Sequence, residues 1–586
     1  MSTRNPSSKK RLNNLWIQIK RYPFMILVTV FLVSLVFIPI SRLIISSFQV
    51  GHPAMPEGWS LNAYRAALTM PLFYKTLWTT IFLAVTGTII TLSISILCAW
   101  LIERTDMPFR DMAWVLLLIP LAMPGILFAL SWMLLLGPKV GVINLFLRYV
   151  LDIFGIHLTS GPLNIYSLGG VVFLDGLRGV STTFLMIVGG FRMMDPALEE
   201  AARVAKAGRV ATLFKVVLPL LMPTLLLAAL YRFILIMESF EIPMAIGLPA
   251  NIYVLSTLIY FTSRVLTPID FASSSVFALV LMLIMILLIV GYRYALRHFE
   301  HFATVTGKGY RPRVVSLGKW RYPALAVFVL YFIITVLAPL LILFWGSLMP
   351  TYRPPSLDEL KWLSFANYIE VFFESDLLRV VWNTVKVMLL TASATMLVSL
   401  FISWLIIRTR LRGRGILDAL AFLPHSIPGI VIALALIMVF LTFPFNQLGI
   451  YGTIWIIVIA LMTQHIAFGT RTMNGAIIQI HKELEEAAYV SKAGTAKTIL
   501  TITLPLLFPA FAAGWIWSAV QAIRSFGAPL MLASRGNNVL AVMMWAYWDD
   551  GDIPIAAALG VLLILVLIPL TLLMRRFIVQ LSGQGT

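Results

Sequence analysis

Charge is scarce in this chain. Only 12% of its 586 residues are Asp, Glu, Lys or Arg, roughly half the share that coats an ordinary soluble domain. Acidic residues are the scarcer sign, 25 against 44 basic ones, and the formal net charge is +19. Cysteine is nearly missing too. Cys98 stands alone, so no internal disulfide can form and a disulfide-built secreted domain is excluded. Hydrocarbon fills the space instead: 60% of residues are apolar and the mean hydropathy is +0.93. So few charges cannot coat the cores that this much hydrocarbon would need, which excludes a soluble enzyme and a disordered tail alike. A bilayer-spanning helix takes about 20 apolar residues. Runs of that kind fall at about 24–47, 77–101, 113–136, 169–191, 215–237, 272–292, 323–346, 382–406, 416–442, 450–472, 505–525 and 554–574. They predict an all-α, polytopic helical membrane protein with about twelve transmembrane helices.

The positive excess is explained by where it lies. Lys9, Lys10, Arg11, Lys20 and Arg21 precede the first run, and Arg575 and Arg576 follow the last. Arg293, Arg297, Lys308, Arg311, Arg313, Lys319 and Arg321 crowd one connector whose only acidic residue is Glu300, while Arg408, Arg410, Arg412 and Arg414 follow another span. Basic clusters flanking apolar runs mark cytoplasmic loops, which puts both termini and the central connector inside. The same scatter argues against nucleic-acid binding, which gathers its cations on one face. No small-residue cleavage site follows the first run, so it reads as a retained helix and not a signal peptide.

The two halves repeat each other. Arg21-Tyr22-Pro23 returns as Arg321-Tyr322-Pro323, and Trp100-Leu101-Ile102 with Arg104-Thr105 returns as Trp404-Leu405-Ile406 with Arg408-Thr409. Pro120 and Pro124-Gly125 return as Pro424 and Pro428-Gly429, an offset of 304 that later becomes 286 because the first half has a longer outer loop, roughly Gly137 to Tyr166. The expected organisation is a first half over 1–300, a cytoplasmic linker over 301–322 and a second half over 323–586. Six spans per half place the copies parallel, related by an axis along the membrane normal, with a solvated pathway at their interface.

The strongest local signal also occurs twice. One copy runs from Asp195-Pro196 through Leu198-Glu199-Glu200-Ala201-Ala202 to Gly208 and reaches Leu218-Pro219; the other runs from Lys482 through Leu484-Glu485-Glu486-Ala487-Ala488 to Gly494 and reaches Leu504-Pro505. Both lie in cytoplasmic loops by the expected topology. Asp195 suits a helix cap, Pro196 the first turn, the glutamates the positive end of the dipole and the glycines a helix stop. Leu198, Ala201, Ala202 and Ala205, matched by Leu484, Ala487, Ala488 and Ser491, make a stripe of small residues that would fit a partner's groove. An ordinary amphipathic loop helix on the lipid surface is the alternative for either copy alone.

Glu-Ala-Ala, then Gly, then a hydrophobic-Leu-Pro resembles the signature loop of ABC importer permeases of the binding-protein-dependent type I (MetI-like) class. The resemblance covers nearly the whole chain, once per half, as in a fused double permease. It implies that Glu200, Ala201, Ala202 and Gly208, with Glu486, Ala487, Ala488 and Gly494, form two docking helices for two copies of an ABC ATPase subunit. It further implies a periplasmic or extracellular solute-binding protein as partner, and a bacterial plasma membrane location, the inner membrane in a Gram-negative cell. ATP then belongs to the partner subunits. A phosphate-wrapping loop needs Gly, four residues and Gly-Lys-Ser/Thr, which Gly307-Lys308-Gly309 and Gly494-Thr495-Ala496-Lys497-Thr498 both lack. No catalytic residue, cofactor or metal site is expected in this chain: its seven histidines show no ligand spacing, and His425 and His465 read as buried, hydrogen-bonded residues.

The pathway candidates are the proline pairs and the outer ends of two spans. Pro120/Pro124, Pro219/Pro223, Pro424/Pro428 and Pro505/Pro509 each free backbone carbonyls, and broken helices at membrane depth need protein or a water-filled cavity around them. Glu238-Ser239-Phe240-Glu241 stands at the place of Arg524-Ser525-Phe526-Gly527. Glu238 and Arg524, opposite in sign, could pair across the pathway, although interfacial charges in contact with headgroups are the simpler reading. Gly536-Asn537-Asn538 and Gly551, with Asp549, Asp550 and Asp552, read as an outer loop that could meet a delivery protein, or simply as a loop. The second half resembles the ferric iron branch most, with phosphonate, thiamine and polyamine permeases as alternatives. An ion-coupled secondary transporter would want acidic residues at mid-span, and the spans read as nearly free of them.

Overall fold

A backbone in hydrocarbon has no water to bond, and a helix pairs its interior N–H groups within its own segment. The computed structural model describes residues 23–193, 202, 204–206, 208–299, 316–373, 375–409, 413–491 and 494–581. It is helical throughout apart from one two-stranded hairpin, Gln49–His52 (β1) and Met55–Trp59 (β2). The principal helices are α1 (Pro23–Ser47), α2 (Pro71–Arg104), α3 (Arg110–Leu118), α4 (Gly125–Leu136), α5 (Val142–Ile153), α6 (Leu168–Arg178), α7 (Val180–Met193), α8 (Leu218–Met237) and α9 (Phe271–Phe299). They continue with α10 (Arg321–Phe332), α11 (Ala338–Ser347), α12 (Ser375–Arg408), α13 (Arg414–Phe422), α14 (Gly429–Phe440), α15 (Ile454–Gln479), α16 (Lys482–Val490), α17 (Leu504–Arg524) and α18 (Ile553–Leu581).

Among the described residues nine helices are long and apolar enough to cross a membrane, or up to thirteen if each of four bent helix pairs is one span. The nine, together with three of the bent pairs, fall on the twelve apolar runs. Those three are Arg110–Ala122 with Gly125–Leu136, bent by 99°, Leu168–Arg178 with Val180–Arg192, bent by 45°, and Arg414–Ser426 with Gly429–Phe440, bent by 103°. The fourth, Pro243–Ala250 with Leu255–Val265, bent by 75°, lies where no span was expected.

The two sharpest bends have a local cause. A residue before proline is pushed out of the helical region, and Met123 and Ile427, just ahead of Pro124 and Pro428, are extended. Pro120 and Pro424 sit in the short 3-10 turns before them, Ile119–Ala122 and Leu423–Ser426. The other two proline pairs behave differently. Pro219 and Pro505 come just after the π-turns Leu213–Val217 and Ile499–Thr503, with helical backbone running through them, and Pro223 and Pro509 are carried inside α8 and α17.

The chain forms two compact units. One comprises 61–379 with 540–565. In it α2 packs on α6, α7 and α8, and α10 and α11 pack on α3 and α4. Phe184, Phe191, Leu117 and Ala113 share a core there with Phe328 and Tyr331 of α10. The other unit comprises 1–60, 380–539 and 566–586. In it α1 packs on α13 and α14, with Val28 and Leu32 against Ile402, Leu405, Leu417 and Ile466. The packing units therefore exchange the first helix of each sequence half: α1 joins second-half helices, and α10–α11 join first-half ones.

Lipid is as apolar as leucine, so helices in it associate through close packing and interhelical hydrogen bonds. A stripe of small residues four apart provides both. On α2 it is Gly87, Thr91, Ser95 and Ala99, and 304 residues on, along α12, it is Thr391, Thr395, Ser399 and Ser403. Thr91 Oγ donates to Gly176 O (2.7 Å) and Ser95 Oγ to Val180 O (3.0 Å). In the other unit Ser399 Oγ reaches Ile466 O (3.4 Å) and Ser403 Oγ reaches Thr470 O (3.0 Å). One pair of bonds, Ser95 to Val180 and Ser399 to Ile466, agrees with both offsets between repeats: 304 residues for α2 onto α12, and 286 for α6–α7 onto α15.

Candidate functional site

The second signature loop forms helix α16. Its first turn carries Glu483 and Glu485, which favour the positive end of the dipole. Glu486 and Ala487 are exposed and Ala488 is half-buried, and Leu484 and Ser491 on the same stripe are exposed as well. The face picked out by the small residues is thus left uncovered by its own chain. The glycine has a different place from the one expected. α16 ends at Val490, and Gly494 instead opens the next short helix, accepting from Thr498 N (3.0 Å) and Thr498 Oγ (3.2 Å). Gly208 does the same for Thr212 (2.9 and 3.1 Å). A Cβ added at either glycine would meet nothing within 4 Å, so contacts within this chain do not require a glycine there. In the first copy Ala202 and Gly208 are described, while Glu200 and Ala201 lie outside the described residues.

One residue of this loop does face inward. Glu485 is 6% exposed and forms an ion pair with Arg408 at the end of α12 (3.0 Å). Arg408 also donates to Ile480 O (2.8 Å), and Thr503 Oγ donates to Glu485 Oε1 (3.1 Å). In the sequence Arg408 stands out only as one of the basic residues that follow a span.

The second cluster lies where helices break. Glu241 pairs with Arg178 (2.8 Å), and a Cβ on Gly125, at the break between α3 and α4, would collide with both side chains. At the repeat position, Gly429, a Cβ would meet Gln464 at 3.0 Å. Asp175, buried in α6, accepts from Ser239 Oγ with both carboxylate oxygens (3.0 Å each). Arg232 of α8 reaches over Gly179 to donate to Asp175 O and to Thr91 Oγ (3.4 Å). Asp175 is the mid-span acidic residue that the reading of spans nearly free of them passes over, and Arg178 and Arg232 lie within expected spans beside it. Their signal was present as isolated charges inside apolar runs.

The remaining candidates are placed as follows. Glu238 ends α8. Arg524 ends α17 and donates to Gln521 Oε1 (3.1 Å). His465 is buried, its ring nitrogen 3.4 Å from Ser518 Oγ, whereas His425 is exposed beside Phe422. Asn537 is fully buried and committed internally, bonding Thr453 O, Leu532 O and Ser534 N. That loop is braced from within and not open at Asn537.

Residues 395–582 match the family described as binding-protein-dependent transport system inner membrane component. The chain is 25% identical over 539 residues to the ferric transport system permease protein FbpB of Actinobacillus pleuropneumoniae, covering 91% of this chain and 75% of that one. It is 22% identical over 559 residues to the Fe(3+)-transport system permease protein FbpB 2 of Haemophilus influenzae, covering 93% and 97%. A solved bacterial alginate ABC transporter, in complex with an alginate pentasaccharide-bound periplasmic protein, aligns with 43% of this chain and 91% of its own at 20% identity and a TM-score of 0.35. The chain is a multi-pass membrane protein, and most of its second half is similar to the binding-protein-dependent transport system inner membrane component family.

Proposed function

We propose that this chain is the membrane permease of an ATP-driven importer, forming the solute pathway by alternating access, with ferric iron as the cargo. The observation that carries the reading is similarity to two ferric permeases over more than nine tenths of the chain. Both termini and the linker face the cytoplasm, and two separate ATPase subunits dock on the two signature loops and hydrolyse the ATP. A solute-binding protein delivers cargo from the other side and supplies most of the selectivity. The two six-span repeats move against each other. The breaks at Pro120, Pro124, Pro424 and Pro428, with Glu238, Glu241 and Arg524 at span ends, line or gate the pathway. The uncovered face of α16 and the open space over Gly208 and Gly494 support the docking part.

The test is uptake of radioactive ferric iron into proteoliposomes holding this chain, its ATPase and a ferric-loaded binding protein. Uptake should require ATP and the binding protein. Uptake driven by a proton or sodium gradient with no ATPase present would overturn the proposal in favour of an ion-coupled transporter. A Glu238→Gln variant that expresses and transports like the parent would remove Glu238 from the pathway.

A further inference from the structure

We propose that Glu485 is a positioning residue that ties docking helix α16 to the two membrane helices beside it, so that a push on α16 is delivered to α17. The inference rests on the reading of α16 as an ATPase-docking helix.

The geometry is built around a single carboxylate oxygen. Glu485 Oε1 takes a charged donor from Arg408 Nε at 3.0 Å and a hydroxyl from Thr503 at 3.1 Å. Arg408 is the last residue of α12; Thr503 is the last residue of the π-turn Ile499–Thr503 that feeds Leu504-Pro505 and α17. Three elements therefore meet at one atom. Arg408 closes the arrangement from the other side by donating to Ile480 O at 2.8 Å, so it holds the exit of α15 and the first turn of α16 at once. Both charged side chains are nearly sealed from solvent, at 5% and 8% exposure. A buried ion pair is costly to separate because each charge would be left uncompensated, so α16 moves with these partners or not at all. The π-turn is the compliant element here, since one extra residue per turn loosens the helix where such bulges occur.

The first half differs in one member of the joint. Arg104, 304 residues before Arg408, also closes its helix by donating to a carbonyl of the neighbouring span, Phe191 O at 2.7 Å. Val217, 286 residues before Thr503, ends the matching π-turn and offers no hydroxyl. A hydroxyl at the end of the π-turn is thus a feature of the second half, and Glu485 is distinct from Glu486 and Ala487, which are exposed.

The experiment compares the full chain with Glu485→Gln and Thr503→Val variants, each purified with its ATPase and reconstituted with binding protein. The readouts are ATPase retained on purification, ATP hydrolysis, and solute transported per ATP. Both variants leave the outward face of α16 intact, so ATPase retention and hydrolysis should persist while solute moved per ATP falls at least about fivefold. Thr503→Val keeps the shape of threonine and leaves the ion pair in place, so it reports on the link even where Glu485→Gln folds poorly. Unchanged transport per ATP in Thr503→Val would overturn the proposal, as would hydrolysis and transport that fall together in proportion to folded protein. Failure of the parent chain to retain any ATPase would instead sink the docking reading, and the joint with it.

Discussion

Gly179 and Arg232 offer a sharp test of how the breaks are held. A Cβ on Gly179 would occupy the space of the Arg232 guanidinium. Arg232 is buried and spends its donors on Asp175 O and Thr91 Oγ, so it has no low-cost place to move. Displacing it forfeits charge-assisted bonds in a buried network, a loss of about 3–5 kcal/mol, and forcing it to stay strains the packing by about 1–3 kcal/mol. Gly179→Ala should therefore cost about 3 kcal/mol. In an Arg232→Ser background the space is vacated, and the same Gly179→Ala change should cost less than about 0.5 kcal/mol, a coupling at the upper end of the usual range for contacting residues. The second repeat shows that the exchange is tolerable in principle. The positions 286 residues on are His465 and Ser518, in contact at 3.4 Å, so the larger group comes from the opposite helix there. Denaturant titration in micelles, followed by tryptophan fluorescence, measures all four corners of the cycle. Equal costs of Gly179→Ala in both backgrounds would refute the reasoning.

Two further outcomes follow from single residues. Asn144 in α5 bonds Leu136 O, Gly137 O, Leu163 O and Leu163 N; Asn144→Ala leaves those groups short of partners, at about 1–3 kcal/mol for a buried one, and limited proteolysis should cut the 155–166 stretch faster while the spans stay intact. Asp106 accepts the Leu317 amide at 2.7 Å, and that bond first, then Ser316 and Arg321, holds its carboxyl below the usual value. Because the folded pKa is depressed, its contribution should be complete above about pH 4, the unfolded value, and lost as pH falls through the folded one. The stability difference between the parent and Asp106→Asn should thus be present at pH 6 and vanish in strong acid; a difference that persists unchanged into acid would exclude Asp106 as its source.

Apolar run length was enough to locate nine long helices and three of the four bent pairs, and the matched signature loops were enough to find α16. Bending was not legible. Hydropathy is blind to direction, and four similar proline pairs gave two sharp breaks and two continuous helices. The difference lies in the residue before the proline, which stays helical at Leu218, next to the π-turn that precedes Pro219, and is extended at Met123 and Ile427, ahead of Pro124 and Pro428. Inward and outward residues of one motif were not legible either. Glu485 and Glu486 are neighbours of identical chemistry, and only the position of Arg408 decides that the first is buried. Asn537 was read as a loop residue by type, yet its loop folds around it.

The buried charges of the first unit bear on mechanism through what they bond. An acidic residue at mid-span usually raises the question of ion coupling. Here α6 ends at the break at Gly179, where last-turn carbonyls run short of helical donors and Leu177 O takes the Gly179 amide. Three successive ones are met by side chains: Asp175 O by Arg232, Gly176 O by Thr91 and Leu177 O by the Tyr331 hydroxyl. Arg232 is there to serve a carbonyl, and Asp175, held by Ser239, lies beside it as its countercharge. In the repeat, α15 runs unbroken from Ile454 to Gln479, so its own N–H groups do that work. The equivalent positions are then uncharged or smaller: Leu461, Gln464 and Ser518 in place of Asp175, Arg178 and Arg232. At these matched positions charge accompanies the broken helix and is missing from the whole one, which is the pattern of a backbone being satisfied and not of a coupling ion being bound.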